Sequence, residues 1–126
     1  MRAADCGLDM KKYKDAIGDA KQVLKICERT GFRFYEPEAE IVLGMAYLAQ
    51  KDFGQAETNA QSAYKKASGM KYRWAEGDAG HLLGEIYLAM GQKRQAGEWI
   101  KKAVKCRKEI LDPKVKESET LLESLR

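Results

Sequence analysis

A histidine flanked by two carboxylates is the set of side chains in this sequence best suited to acid–base or metal chemistry. His81 is the single histidine, with Asp78 three residues before it and Glu85 four residues after it. On a helix these spacings place all three on one face, where they could transfer protons or form half of a metal site. No nucleophile stands at a matching spacing, and no glycine-rich phosphate loop occurs in the sequence. We therefore expect an ordinary polar helix face, with no catalytic residue, no metal and no cofactor.

The composition and the number of cysteines further narrow the class of protein to which this sequence can belong. The 126 residues are 44% hydrophobic and 33% charged, with a net charge of +4. Cys6, Cys27 and Cys106 form no C-x-x-C pair, so we expect reduced, buried packing residues. The sequence has no run of ~18 apolar residues and no charged-then-apolar leader, so we expect a cytoplasmic protein without a membrane partner. Basic runs such as Lys101-Lys102 could touch nucleic acid or anionic lipid, but acids among them favour solvated helix faces.

An internal repeat is the most informative feature of the chain. Residues 33–66 align without gaps on residues 73–106, at a spacing of 40, and twelve of the 34 pairs are identical. The identities include Leu43/Leu83, Gly44/Gly84 and Tyr47/Tyr87. Such self-similarity predicts a stack of repeated supersecondary units.

Each copy divides into two amphipathic helices. In the second copy an apolar stripe of helical period runs from Ala75 to Met90, and a new stripe begins after Gly91-Gln92. In the first copy the break falls at Lys51-Asp52, where Asp52 is a suitable N-cap. Because the connection is only a few residues long, the paired helices must be antiparallel neighbours. Gly84 and its counterpart Gly44 predict a close helix crossing.

The pattern L-G-x-x-Y-L-A, followed seven residues later by Ala and seven residues after that by another Ala, resembles the tetratricopeptide repeat. The 40-residue period is similar to the long-helix variety in maltose-regulator-type transcription activators and related signalling ATPases. Two departures stand out: the large residue expected between the alanines is Ala60 in one copy and Ile100 in the other, and repeat-end proline is limited to Pro113. The resemblance implies an all-α fold, an αα-superhelix.

The resemblance also implies a concave groove for a peptide, lined by the first helix of each pair. The family's groove positions fall on eight residues of this sequence, which are Phe34, Glu38, Ile41, Met45, Trp74, Asp78, His81 and Glu85. For Phe34 and Trp74 packing against the preceding helix pair is the alternative. Arg33 and Arg73 could pair with Glu36 and Glu76 at i+3.

The domain organisation follows from the repeat register. We expect one domain over 1–126, with a partial repeat at 1–32, repeats at 33–72 and 73–112, and a polar capping helix at 113–126. Residues 12–29 then form a second helix and residues 1–10 the tail of a first helix. We expect the chain to be the C-terminal piece of a longer protein.

These patterns favour a protein–protein interaction module that binds another protein or a peptide, with no enzyme activity. A helical-repeat RNA-binding module is the alternative, but it would need a basic concave face, and the predicted groove is acidic. The apolar stripe on residues 12–29 is too wide for one neighbour, which predicts a possible homodimer through the N-terminal helix.

Overall fold

The described part of the chain forms six helices and contains no strand. The computed structural model describes residues 6–31 and 33–125, and of residues 6–12 the backbone alone. The all-α prediction is confirmed. The helices are α1 (Cys6–Thr30), α2 (Glu36–Ala49), α3 (Phe53–Met70), α4 (Arg73–Ala89), α5 (Lys93–Glu109) and α6 (Val115–Ser124).

Each helix packs on the next one along the chain, so that α2–α3 and α4–α5 are the two predicted antiparallel pairs. The first helices of the pairs, α2 and α4, also pack directly on each other. The second helices, α3 and α5, meet through long side chains instead, with the Tyr64 and Trp99 rings edge to face at 4.8 Å. Among the described helices the stack is therefore narrower on the α2–α4 side, which we call the inner face.

Four helix ends share one way of reversing the chain. A residue with positive φ (Lys51, Lys71, Gly91 or Leu111) follows each of α2–α5. The next backbone amide then donates to a carbonyl five residues back, as Asp52 does to Tyr47 at 2.9 Å. This bond satisfies helix-end carbonyls that would otherwise lack a partner. The predicted N-cap is confirmed, since Asp52 Oδ1 accepts from the Gln55 amide at 3.4 Å.

Small residues set the helix separation in the core. A Cβ built on Gly84 would lie 2.5 Å from Ile100 Cγ1 and 3.3 Å from the Ala96 carbonyl oxygen. On Gly44 it would lie 2.8 Å from Leu82 Cδ2. These contacts confirm the predicted close crossings. Along α3, the alanines at 56, 60, 63 and 67 are fully buried beneath α2 and α4.

The two ends of the chain differ from the sequence-based expectation. Residues 6–30 form one continuous helix, so the predicted break between residues 10 and 12 is wrong; residues 1–5 lie outside the described part. The break was placed by repeat alignment alone, and no turn residue separates the two segments. At the other end α6 begins at Val115, two residues after Pro113, where Asp112 Oδ1 accepts from the Lys114 amide at 2.9 Å.

The apolar stripe of α1 is largely covered by α2. Ala20 is buried against Ala39 and Leu43, with Ile17 and Leu24 packed around them. Cys27 and Cys106 are free and buried, as predicted, and the Cys6 side chain lies outside the described part. None of the described helices is both long and apolar enough to cross a membrane.

Candidate functional site

The inner face carries three large apolar side chains that are about half exposed. Phe34 lies in the turn before α2 and is 46% exposed, Met45 lies in α2 and is 56% exposed, and Trp74 in the first turn of α4 is 46% exposed. Glu38 lies exposed between Phe34 and Met45, and Glu85 lies along α4 with 38% of its side chain exposed. Apolar and acidic groups therefore alternate across the face.

Ile41 does not belong to this face, contrary to the sequence-based prediction. It is 8% exposed and packs in the main core with the alanines of α3 and with Leu82. Its neighbour Val42 is 40% exposed. Residues three and four positions along a helix share one face, so periodicity alone could not choose between 41 and 42. Ile41 is covered because it faces α4.

The two inner-face helices are joined at their N-terminal ends by an aromatic stack and a hydrogen bond. The Phe34 and Tyr72 rings stack at 4.9 Å with an interplanar angle of 14°. The Tyr72 hydroxyl donates to Glu38, and this hydrogen bond raises the pKa of Tyr72 to about 12. Phe34 therefore packs on the turn that leads into α4 while 46% of it remains exposed.

Asp78 belongs to a polar cluster that fixes α4, α5 and α6 together. Arg107, which is 4% exposed, donates to Asp78 Oδ1 from Nη2 at 2.8 Å and to Ser118 Oγ from Nη1 at 2.8 Å. Lys114 Nζ donates to the same Asp78 oxygen at 2.7 Å. Asp112, 1% exposed, places Oδ2 3.9 Å from Arg107 Nε. The negative charge of Asp78 is therefore balanced by two cations and is not available to an incoming basic group.

His81 sits between a serine and a carboxylate. Its Nδ1 lies 2.9 Å from Ser118 Oγ, and its Nε2 lies 3.8 Å from Glu85 Oε2. A serine, a histidine and a glutamate are the components of a nucleophilic site, but Ser118 is fully buried and already accepts from Arg107. A substrate could not reach the hydroxyl, so the arrangement holds α6 against α4.

A second set of buried charges lies between α2 and α3. Glu36 and Glu40 are 7% and 8% exposed and share Lys66, at 3.5 and 3.1 Å, while Ser62 donates to Glu40 at 2.8 Å. The predicted Arg73–Glu76 pair is present at 3.3 Å, but in the first copy Glu36 pairs with Lys66 rather than Arg33.

Sequence reasoning missed the partners that decide which inner-face residues are accessible. Arg107 and Ser118 neutralise Asp78 and engage His81, yet they stand 29 and 37 residues away. The signal that could have found Arg107 is a charged residue on the apolar stripe of α5, beside Ala103 and Cys106. No group of three or more metal-ligating side chains forms within the described residues.

Compared with models of known protein families and with curated proteins, the sequence gives no match. Inferences about function therefore rest on the residues and their geometry.

Proposed function

We propose that this protein is a protein–protein interaction module that binds a peptide segment along its inner face. The observation that carries the proposal is the exposure of Phe34, Met45 and Trp74, at 46%, 56% and 46%. Met45 and Trp74 lie on two helices that pack directly together, and Phe34 lies in the turn before the first of them. Large aromatic and methionine side chains supply much of the energy at protein interfaces. Their partial exposure on one face supports a binding role.

The charges on the face define the chemistry of the partner. Glu38 is exposed and accepts a hydrogen bond from Tyr72, and Glu85 adds a second carboxylate near His81. Asp78 is already balanced by Arg107 and Lys114. A peptide that places apolar side chains over Phe34 and Met45 and a lysine or arginine near Glu38 complements this surface. A C-terminal acidic tail does not.

The test is a selection of random displayed peptides on the purified protein, followed by affinity measurements on the enriched sequences. We expect enrichment of peptides that combine basic with apolar residues. Met45→Glu should weaken their binding at least tenfold, about 1.4 kcal/mol, because it places a charge at the centre of the apolar contact. Gln95→Glu, an equal change in charge at an exposed position of α5, should leave affinity unchanged.

Two outcomes would contradict the proposal. Selection could yield no peptide above background, or the selected peptides could bind wild type and Met45→Glu equally well. Either result would remove the inner face as the binding site.

The alternative of an RNA-binding module is weaker. Glu38 and Glu85 on the inner face would repel phosphate, whereas exposed cations such as Lys101, Lys102 and Lys105 lie on α5. RNA binding would fall steeply with salt, and a salt titration with RNA separates the two functions. The buried free thiols of Cys27 and Cys106 suit a reducing compartment such as the cytoplasm.

A homodimer is a further part of the proposal. On the N-terminal side, α1 leaves Val23 exposed by 38% and α2 leaves Val42 exposed by 40%. Leu82, the counterpart of Val42 in the second copy, is buried against α2 and contacts the Gly44 position. Val42 therefore faces away from α4, where a second copy could cover it.

A further inference from the structure

Exposed apolar residues are concentrated at one end of the helix stack. The turns α1–α2, α3–α4 and α5–α6 lie at this end, because consecutive helices are antiparallel. Nine large hydrophobic residues are exposed in the described part of the chain. Six of them stand in these three turns or within about one helical turn of them, and they are Ile26, Phe34, Tyr35, Met70, Trp74 and Leu111. None of the nine lies in residues 49–57 or 89–97, around the turns at the opposite end.

The three turns are joined side by side into one surface. Phe34 in the first turn stacks on Tyr72 in the second. Arg73, next to Tyr72, pairs with Glu109 at the end of α5, just before the third turn. We call this end, with its six exposed apolar residues and its basic residues, the turn surface. Its members lie in the three turns and on the adjoining helix ends, and Phe34 and Trp74 also belong to the inner face. Side chains spread over several neighbouring helix ends suit a broad, flat partner.

Leu111 is the clearest sign that the turn surface has a binding role. It is 86% exposed and has φ of +59°. The equivalent position of the preceding turn is Lys71, and Gly31 and Gly91 take the same backbone conformation in other turns. A leucine there is unfavourable in conformation and in hydration. Folding gives no reason for this residue, whereas insertion into an apolar phase does.

Basic residues surround the apolar ones. Arg29, Arg33 and Lys71 are exposed at this end, as is Lys108, which pairs with Glu119 at 3.4 Å. Glu109 is paired with Arg73 and Glu36 with Lys66, whereas Glu28 and Glu38 are exposed acids beside the first turn. The turn surface therefore combines exposed tryptophan, tyrosine and aliphatic side chains with basic side chains. That combination is typical of protein surfaces that lie in the interface of an anionic bilayer.

We propose that the turn surface docks on an anionic lipid bilayer, with Leu111, Met70 and Trp74 inserted among the lipid headgroups. The binding is peripheral. It shares Phe34 and Trp74 with the proposed peptide site, whereas Leu111 and Met70 belong to the turn surface alone. It departs from the sequence-based expectation of no membrane partner, which rested on the lack of a spanning run. That run is needed to cross a bilayer but not to dock on one.

The experiment is co-sedimentation of the full chain with vesicles of phosphatidylcholine alone or mixed with phosphatidylserine. We expect binding to the mixed vesicles, weakened by added salt. Leu111→Asp/Met70→Asp should reduce it at least tenfold, and Lys71→Asn roughly fivefold. Leu111 and Lys71 have positive φ, which aspartate and asparagine tolerate better than most residues. Met70 is the last residue of α3 and is exposed, so both variants should keep the wild-type helical spectrum and melting temperature.

The matched control is Met45→Asp/Gln95→Asp, which makes the same change in charge away from the turn surface and should bind vesicles like wild type. The proposal is overturned if the wild type stays in solution with mixed vesicles, or if both double variants lose binding equally. Binding to polyglutamate but not to vesicles would also overturn it, and would assign the turn surface to an acidic protein. Peptide binding at the inner face is measured separately, so each proposal can fail alone.

Discussion

Gly84 is the position where the packing argument can be tested most sharply. A methyl group there would overlap the Ile100 side chain, with Cγ1 at 2.5 Å and Cδ1 closer still. The Ala96 carbonyl oxygen, 3.3 Å away, belongs to backbone. Ile100 is fully buried and cannot swing into solvent. Gly84→Ala therefore forces the α4–α5 crossing apart.

Two opposing effects set the size of the change in stability. Glycine to alanine inside a helix gains up to about 1 kcal/mol of helix propensity. Overpacking a filled core costs about 1–3 kcal/mol. Because the overlap is with an enclosed side chain and nearby backbone, we expect the second effect to win, with Gly84→Ala destabilised by roughly 1–2 kcal/mol. Gly84→Leu should lose more stability than Gly84→Ala. It should lose far more stability than Met45→Ala, because truncation of Met45 leaves no sealed cavity.

Denaturant unfolding of Gly84→Ala, Ile100→Ala and the double variant forms the assay. Ile100→Ala alone should cost about 2–5 kcal/mol. In that background Gly84→Ala should become neutral or stabilising, since its methyl group enters the space that Ile100 vacates. Gly97→Ala in α5, where a Cβ meets nothing within 4 Å, is the control and should stabilise. Two results would refute the close α4–α5 crossing at Gly84. One is a Gly84→Ala variant more stable than wild type, and the other is a double variant whose loss of stability equals the sum of the two single losses.

Three further predictions follow from the charged and exposed residues. Arg107→Met should lower the free energy of unfolding by about 3 kcal/mol, because it removes the guanidinium from buried Asp112 and leaves only Lys114, with Nζ 4.0 Å from Oδ2, as a cation; a loss below about 1 kcal/mol in urea unfolding would show that the cluster contributes little to stability. The pKa of Tyr72 is raised from 10.0 to about 12 by its hydrogen bond to Glu38. The folded state therefore keeps a proton that the unfolded state has lost, and stability should fall as pH rises from 10 to 12. Tyr72→Phe should flatten that fall in denaturation midpoints, and an unchanged slope would rule out this source. Light scattering over a concentration series should detect a dimer that Val23→Glu disrupts, whereas a monomer at every concentration would exclude it.

The repeat made much of the fold predictable. The helix pairs and their antiparallel order were predicted from three features. These were a 3.6-residue period of apolar residues, a break about every twenty residues, and Asp52 as the N-cap at one break. Gly84 marked the close crossing because a glycine that recurs inside two helical stripes has a packing reason. Each of these features depends only on residues close together in the sequence, so it can be recognised without the tertiary structure. The predicted break between residues 10 and 12 was wrong because it rested on the repeat alignment alone, and no turn residue marks a break there.

What the tertiary structure alone decided is which residues of one face stay accessible. Ile41 and His81 occupy equivalent positions, yet Ile41 is covered by α4 and His81 is held by Ser118 of α6. Asp78 shares its stripe with Glu85, but Arg107 reaches it from α5. A helical period fixes the direction of a side chain to within about one residue. The residues that meet Asp78 and His81 stand 29 and 37 positions away in the sequence, and only the packing of the helices brings them into contact.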